Sequence, residues 1–251
     1  PEERVTGKVA REVCQRQGVK ALLAGSISSL GTNYVITLDA INASSGNSLA
    51  TEQVEAQGKE QVLTALGKAA SRLRARLGES LSSIEKFDAP IEEATTSSLE
   101  ALKAFSLGEA ERNKQGNTEA VVPFFKRAVE LDPNFALAYA RLGTVNEALL
   151  ETERADGYHR KAFELRERVS EKEKLYITGH YYGEVTGELD KELETYELWK
   201  RIYPRDPIPP NNLSYAYELF GQFDKALEEA QETARLTPTA RLLTRFLHGH
   251  I

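Results

Sequence analysis

Any chemistry this chain performs must come from a small set of side chains. Its four histidines are His159, His180, His248 and His250, and its single cysteine is Cys14. One cysteine makes no intramolecular disulfide and no thiolate metal cluster. Cys14 falls in an amphipathic stretch between Val9 and Val19, where a thiol with no neighbouring base is expected to be buried and inert. His248-Gly-His250 has a spacing that a metal ion can use, but at a chain end the pair reads as fortuitous. His180-Tyr181-Tyr182 suggests packing or peptide contact more than acid–base work. Glu92-Glu93 lies in a linker, where nothing holds two carboxylates rigidly enough to act as a dyad. There is no Gly-rich phosphate cradle, no His-Glu-x-x-His and no serine elbow. The expectation is therefore no enzyme, no metal and no cofactor. A perturbed cluster of carboxylates or histidines in one cleft would count against it.

The elements that would position such residues fall into two halves. Residues 1–90 carry 11 Lys+Arg against 10 Asp+Glu, and residues 91–251 carry 21 against 28. An acidic second half argues against nucleic acid, whose phosphates need a basic face, and suits a protein or peptide with basic side chains. No segment approaches the ~18–20 unbroken apolar residues of a membrane-spanning helix. No signal-peptide pattern opens the chain. Pro1-Glu2-Glu3-Arg4 reads as the middle of a longer polypeptide. The compartment stays open: soluble and cytoplasmic, or an extracytoplasmic portion of a membrane-tethered protein.

In the first half, residues 3–17 show helical spacing through Val5, Val9 and Val13. Three strand-like runs follow: 19–27, 34–41 (Tyr-Val-Ile-Thr-Leu-Asp-Ala-Ile) and a weaker one at 48–54. Gly31-Thr32-Asn33 and Ser44-Ser45-Gly46-Asn47 supply the turns, so an antiparallel meander is expected. A helix over 59–81 carries Val62, Leu66, Ala69, Ala70, Leu73 and Leu77 on one stripe. Residues 82–98 break the periodicity as a linker and end on a capping-box pattern, Ser97-Ser98-Leu99-Glu100. The fold class expected is thus α+β: a small antiparallel three-stranded module with flanking helices over 1–90. An all-α array of helical hairpins follows over 91–251.

That array is punctuated by Pro133, Pro204 and Pro238, the last two 34 residues apart. In one unit Tyr139, Leu142-Gly143, Ala155 and Ala162 stand where two helices must approach closely. A second runs from about 173 to 206, with Tyr176, a turn at Gly187–Lys191, then Tyr196 and Trp199. A third covers 207–238, with Leu213, Tyr217, Gly221, Ala226 and Ala230. The earliest unit is irregular, and local unwinding is expected near Val122-Pro123. Residues 240–251 resemble the first helix of a cut-off fifth unit. The pattern of a large residue, Leu-Gly and two alanines seven apart resembles the tetratricopeptide repeat.

A tetratricopeptide-type solenoid implies a concave surface lined by the first helices of each hairpin. The positions expected there are Leu137, Thr144 and Glu147, then Ile177, Tyr181 and Glu184, then Asn211, Tyr215 and Glu218. Tyrosines offer flat area, Asn211 bonds peptide amides, and the glutamates favour Lys or Arg in a ligand. Phe105 and Glu109 stand in the first unit where a carboxylate clamp would need cations. In the first half, Val19–Ile27, Tyr34–Asn42 and Ser45–Ala50 resemble the later part of TolB-like amino-terminal modules. Module plus repeats resembles the carboxy-terminal region of bacterial eukaryotic-type serine/threonine kinases, which implies sensing or scaffolding. No kinase residue is present. The expected function is a non-enzymatic interaction scaffold within a larger bacterial signalling protein. The alternative is a sensor holding a small ligand between sheet and helix. A homo-dimer through the last helix or an open sheet edge is a further expectation.

Overall fold

The computed structural model describes residues 7–16, 19–79, 95–113 and 118–237. The chain divides into two compact units, Pro1–Leu99 and Glu100–Ile251. Most of the expected linker, the helix expected at 240–251 and the pair His248/His250 lie outside the described residues.

The first unit follows from its alternating pattern. Helix α1 (Gly7–Arg16) leads to β1 (Ala21–Leu30), β2 (Asn33–Asn42) and β3 (Ser48–Gln57), an antiparallel sheet in the order β1-β2-β3. Gly31 and Gly46 turn the chain with φ of 62° and 77°, a region that penalises a Cβ. The Asn42 side chain accepts the amides of Ser44 and Ser45 at 2.9 Å each, which fixes the second turn. Strand β2 is β-branched and buried on alternate residues, so one face must be covered. Helix α2 (Val62–Arg76) covers it. Leu38, Ala40 and Ala50 pack with Ala69 and Leu73, and Ile36 and Ala56 with Val62 and Ala65. Side chains fill the interior of the seam between helix and sheet, and an open cleft of about 560 Å³ runs along it, lined by Gln53, Val54 and Glu55 of β3 and by Thr64, Ala65, Lys68 and Arg72 of α2. Leu77, the last residue of the expected stripe, lies beyond the helix end and is exposed. Cys14 is half-buried. Gln15 donates to the Ala43 carbonyl at 2.7 Å, tying α1 to the β2–β3 turn.

The second unit is a run of helices: α3 (Leu99–Asn113), α4 (Val122–Leu131), α5 (Ala136–Ala148), α6 (Thr152–Leu165), α7 (Glu171–His180), α8 (Leu189–Ile202), α9 (Ile208–Leu219) and α10 (Phe223–Leu236). Pairs α5/α6, α7/α8 and α9/α10 are hairpins of the tetratricopeptide type. The unwinding expected at Val122-Pro123 is instead a helix start. A 3-10 turn (Thr118–Val121) feeds α4, whose first turn holds Pro123, where a missing N–H costs no hydrogen bond. Ser170 and Glu173 form a capping box that opens α7. One turn of π-helix (Tyr181–Thr186) follows α7 and ends on Gly187 at φ 68°.

Two cores hold these helices. One gathers Phe105, Phe125, Phe135 and Leu142, and the other Leu175, Tyr196, Trp199, Leu213 and Tyr217. Leu137 packs against both. Close approach is made possible by glycine. A Cβ on Gly143 would fall 2.4 Å from the His159 ring, and one on Gly179 would fall 2.3 Å from Tyr196.

Candidate functional site

A groove of about 430 Å³ crosses the second unit. Its lining comes from α3 (Arg112), α5 (Arg141, Thr144, Glu147), α7 with its π-turn (Tyr176, His180, Glu184), α8 (Glu192, Tyr196) and the start and face of α9 (Asn211, Asn212, Tyr215). Of the nine positions expected from sequence, Thr144, Glu147, Glu184, Asn211 and Tyr215 line it.

Four do not. Ile177 is 1% exposed and belongs to the core, so it cannot face the groove. Tyr181 stacks on Phe163, ring centroids 3.8 Å apart and planes 10° apart, on the side where α6 packs. Leu137 is the seam residue between the cores, and Glu218 is outside the lining. Phe105 is also core, against Phe125 and Phe135 at 5.4 and 5.0 Å. The face of α7 that meets the groove is Tyr176–His180, one residue out of phase with the expected Ile177–Tyr181. Not singled out from sequence were Arg112, Arg141, Glu192 and Asn212, while Tyr176 and Tyr196 were expected as hairpin packing and His180 as packing or peptide contact.

The two ends of the groove differ in charge. At one end Glu109 gathers the cations, with one oxygen 2.8 Å from Arg112 and the other 3.0 Å from Arg141. The Arg141 guanidinium also lies 4.6 Å over the Tyr176 ring. At the other end stand Glu147, Glu184 and Glu192. Glu147 pairs with Nε2 of His159, a ring that is fully buried against Gly143. Since a carboxylate only accepts, Nε2 carries the proton in that contact. His180 places Nδ1 3.0 Å from the Tyr176 carbonyl and 3.1 Å from the Tyr196 hydroxyl.

Glu192 is the outlier. It is 8% exposed, and its Oε2 has no hydrogen-bond partner. Its carboxyl sits against Gly183 of the π-turn, where a Cβ would come within 2.6 Å. Burial, then Glu184, then Glu147 push its pKa up to about 7. Glu184 is raised as well, by burial and then by Glu147. His180 moves the other way, down to about 3, because burial and then the nearby His159 oppose its charged form.

A carboxyl that titrates near neutrality is the kind of group acid–base catalysis uses. The groove thus holds the perturbed cluster that the sequence did not promise. It supplies little else for a reaction. Its lining includes no serine or cysteine, and the Thr144 hydroxyl donates to the Arg141 carbonyl at 3.1 Å. Among the described residues no group of three or more His, Cys, Asp or Glu is placed to hold a metal ion. No helix among them is long and apolar enough to cross a membrane.

No family model matches the chain, and no curated protein matches it. Among solved structures it is similar to MamA from Desulfovibrio magneticus RS-1, residue 41 to its end. That match is 19% identical, covers 56% of this chain and 77% of that one, and has a TM-score of 0.37. A crystal structure of MamA is 21% identical over 70% of this chain and 92% of that one, TM-score 0.36. The APC/C hetero-tetramer Cut9-Hcn1 is 16% identical over 76% of this chain and 36% of that one, TM-score 0.43. At such identities and scores the likeness assigns no activity or partner to this chain.

Proposed function

We infer that this chain is a protein-interaction scaffold whose repeat region, 91–251, binds an extended peptide segment of a partner in the groove. One observation carries the reading: a single groove draws Thr144, Glu147, Glu184, Asn211 and Tyr215 from three successive hairpins. Hairpins that bury their small residues against one another leave such side chains to face outward together. Amide, hydroxyl and flat aromatic groups in a row suit main-chain polar groups and alternate side chains of an extended peptide. The module over 1–90, by its resemblance to TolB-like modules, supports a place in a larger bacterial signalling protein. The small-ligand alternative would rest on the open cleft between β3 and α2, since the interior of the seam is filled by side chains.

The test uses the full chain and a displayed library of random twelve-residue peptides. Enriched peptides are expected to lose at least about ten-fold in affinity on Tyr215→Ala, as a truncated aromatic anchor does. Phe223→Ala, exposed on α10 outside the groove, is expected to leave them unchanged. Enriched peptides that bind Tyr215→Ala and Thr144→Arg at full strength would sink the groove assignment.

A further inference from the structure

We propose that the acidic end of the groove is a pocket for one arginine side chain of the partner, with Glu192 as its anchor. The proposal rests on the groove reading above and names the chemistry that the groove selects.

Three carboxylates converge here from three elements: Glu147 on α5, Glu184 in the π-turn and Glu192 on α8. The cations of the same groove are engaged at its other end, Arg112 and Arg141 on Glu109. Lys191, next in sequence to Glu192, is bound to Glu188. Charge alone would leave the cluster an ordinary acidic surface. Glu192 makes it different, because its carboxyl is more than nine-tenths buried, lines the groove and keeps Oε2 without a partner. A buried acceptor without a donor costs free energy in the empty protein, and a charged donor from the ligand recovers it. The backbone is shaped around this carboxyl. Gly183 leaves the space it fills, and a π-turn sets Gly183 over it.

Arginine fits these observations in shape as well as charge. A guanidinium presents five donors in a rigid plane, enough to meet Oε2 of Glu192 and reach a second carboxylate. The groove is large enough for one such side chain with flanking backbone, and the partly exposed Tyr215 ring stands on its wall. An entering guanidinium also offsets what disfavours the charged forms of Glu184 and Glu192 in the empty pocket, burial first and then the neighbouring carboxylates.

The experiment titrates the isotope-labelled full chain with N-acetyl-arginine-N-methylamide and with its citrulline counterpart, following backbone amides by NMR. Citrulline keeps the shape and removes the charge. The arginine probe is expected to shift Gly183, Glu192 and Asn212 saturably in roughly the millimolar range. The citrulline probe is expected to bind at least about ten-fold more weakly. Glu192→Gln, nearly isosteric, should weaken the arginine probe by about ten-fold while leaving the rest of the spectrum in place. Glu153→Gln, exposed on α6, should change neither. Equal affinity for the two probes, an unaffected Glu192→Gln variant, or no saturable shift with arginine would each overturn the pocket. None of those results touches the groove reading, which stands or falls on displayed peptides and Tyr215→Ala.

Discussion

Hairpins α5/α6 and α7/α8 are built on one plan and closed in different ways. In α5/α6 the joint is made of small residues: Gly143 receives the His159 ring, and Ala155 and Ala162 are fully buried. In α7/α8 the joint is aromatic. Tyr196 and Trp199 fill it, with Gly179 making room for Tyr196 and Trp199 set edge-on to Tyr176 at 6.1 Å. Trp199 finds a partner for its N–H in Asp206 at 3.1 Å, and Asp206 also holds Lys172 at 2.8 Å. The first hairpin turns after an ordinary helix end, the second after a turn of π-helix. π-turns are uncommon and concentrate at functional sites. Here the widened turn lets Glu192 reach under the backbone at Gly183. A joint that departs from the small-residue rule is where the groove acquires its perturbed carboxyl.

That contrast can be broken most forcefully at Trp199. Trp199→Ala is expected to destabilise the second unit by about 4 kcal/mol in urea unfolding, through lost burial and an unfilled cavity. The α5/α6 joint should break in the opposite direction, by filling. Ala162→Leu is expected to cost about 2 kcal/mol. If enlarging Ala162 is tolerated as well as it would be on a surface, the small-residue joint is not the constraint described.

Glu192 gives a smaller effect with a distinctive pH dependence. Its folded pKa, about 7, lies above the ordinary carboxyl value, so the folded state binds the proton more tightly than the unfolded chain. Its contribution is intact below the unfolded pKa and is lost as pH rises through about 7. Glu192→Gln is therefore expected to stabilise at pH 8 by on the order of 1 kcal/mol, reduced by the water on its groove side, and to change little at pH 4. His180 has the opposite sign. Held neutral with a pKa near 3, it contributes stability above the unfolded histidine value that is lost as pH falls through it. Removing the Glu192 titration should leave a melting temperature that climbs more steeply with pH toward neutrality. A Glu192→Gln variant with the parent's pH profile would remove the carboxyl from this account.

The smallest effect lies in the two turns. Leu150 after α5 has φ 60°, and Gly187 after the π-turn has φ 68°. The conformation is the same, but one residue pays for its Cβ and the other has none. Leu150 is almost fully exposed, so it loses no burial on truncation. Leu150→Gly is expected to stabilise by about 0.5–1 kcal/mol, and Gly187→Ala to destabilise by a similar amount, read from melting temperatures.

Much of the fold was legible because its signals are local. Alternation in β2, turn residues at Gly31 and Gly46, and the stripe of α2 are properties of a few consecutive residues. The hairpins announced themselves by Leu142-Gly143, Ala155 and Ala162, where bulk is forbidden. The groove was half legible. Thr144, Glu147, Asn211 and Tyr215 sit on helices whose inner faces are marked by Gly143, Leu213 and Tyr217, so their outward phase could be counted. Helix α7 offers no such phase. Leu175, Tyr176 and Ile177 are consecutive and all buried, because α7 is packed by neighbours on most of its circumference. Nothing in its residues says whether 176 or 177 meets the groove.

By itself, then, the sequence determined the elements, their order and the period of the hairpins, since these follow from spacing within one or two turns of chain. Only the tertiary structure decided which side of α7 faces the groove and that a π-turn follows it. It alone brought Glu192, forty-five residues from Glu147, to the same end of the groove. Those outcomes depend on how several helices share space and on the dielectric they leave between them. Neither quantity is written in any short stretch of residues.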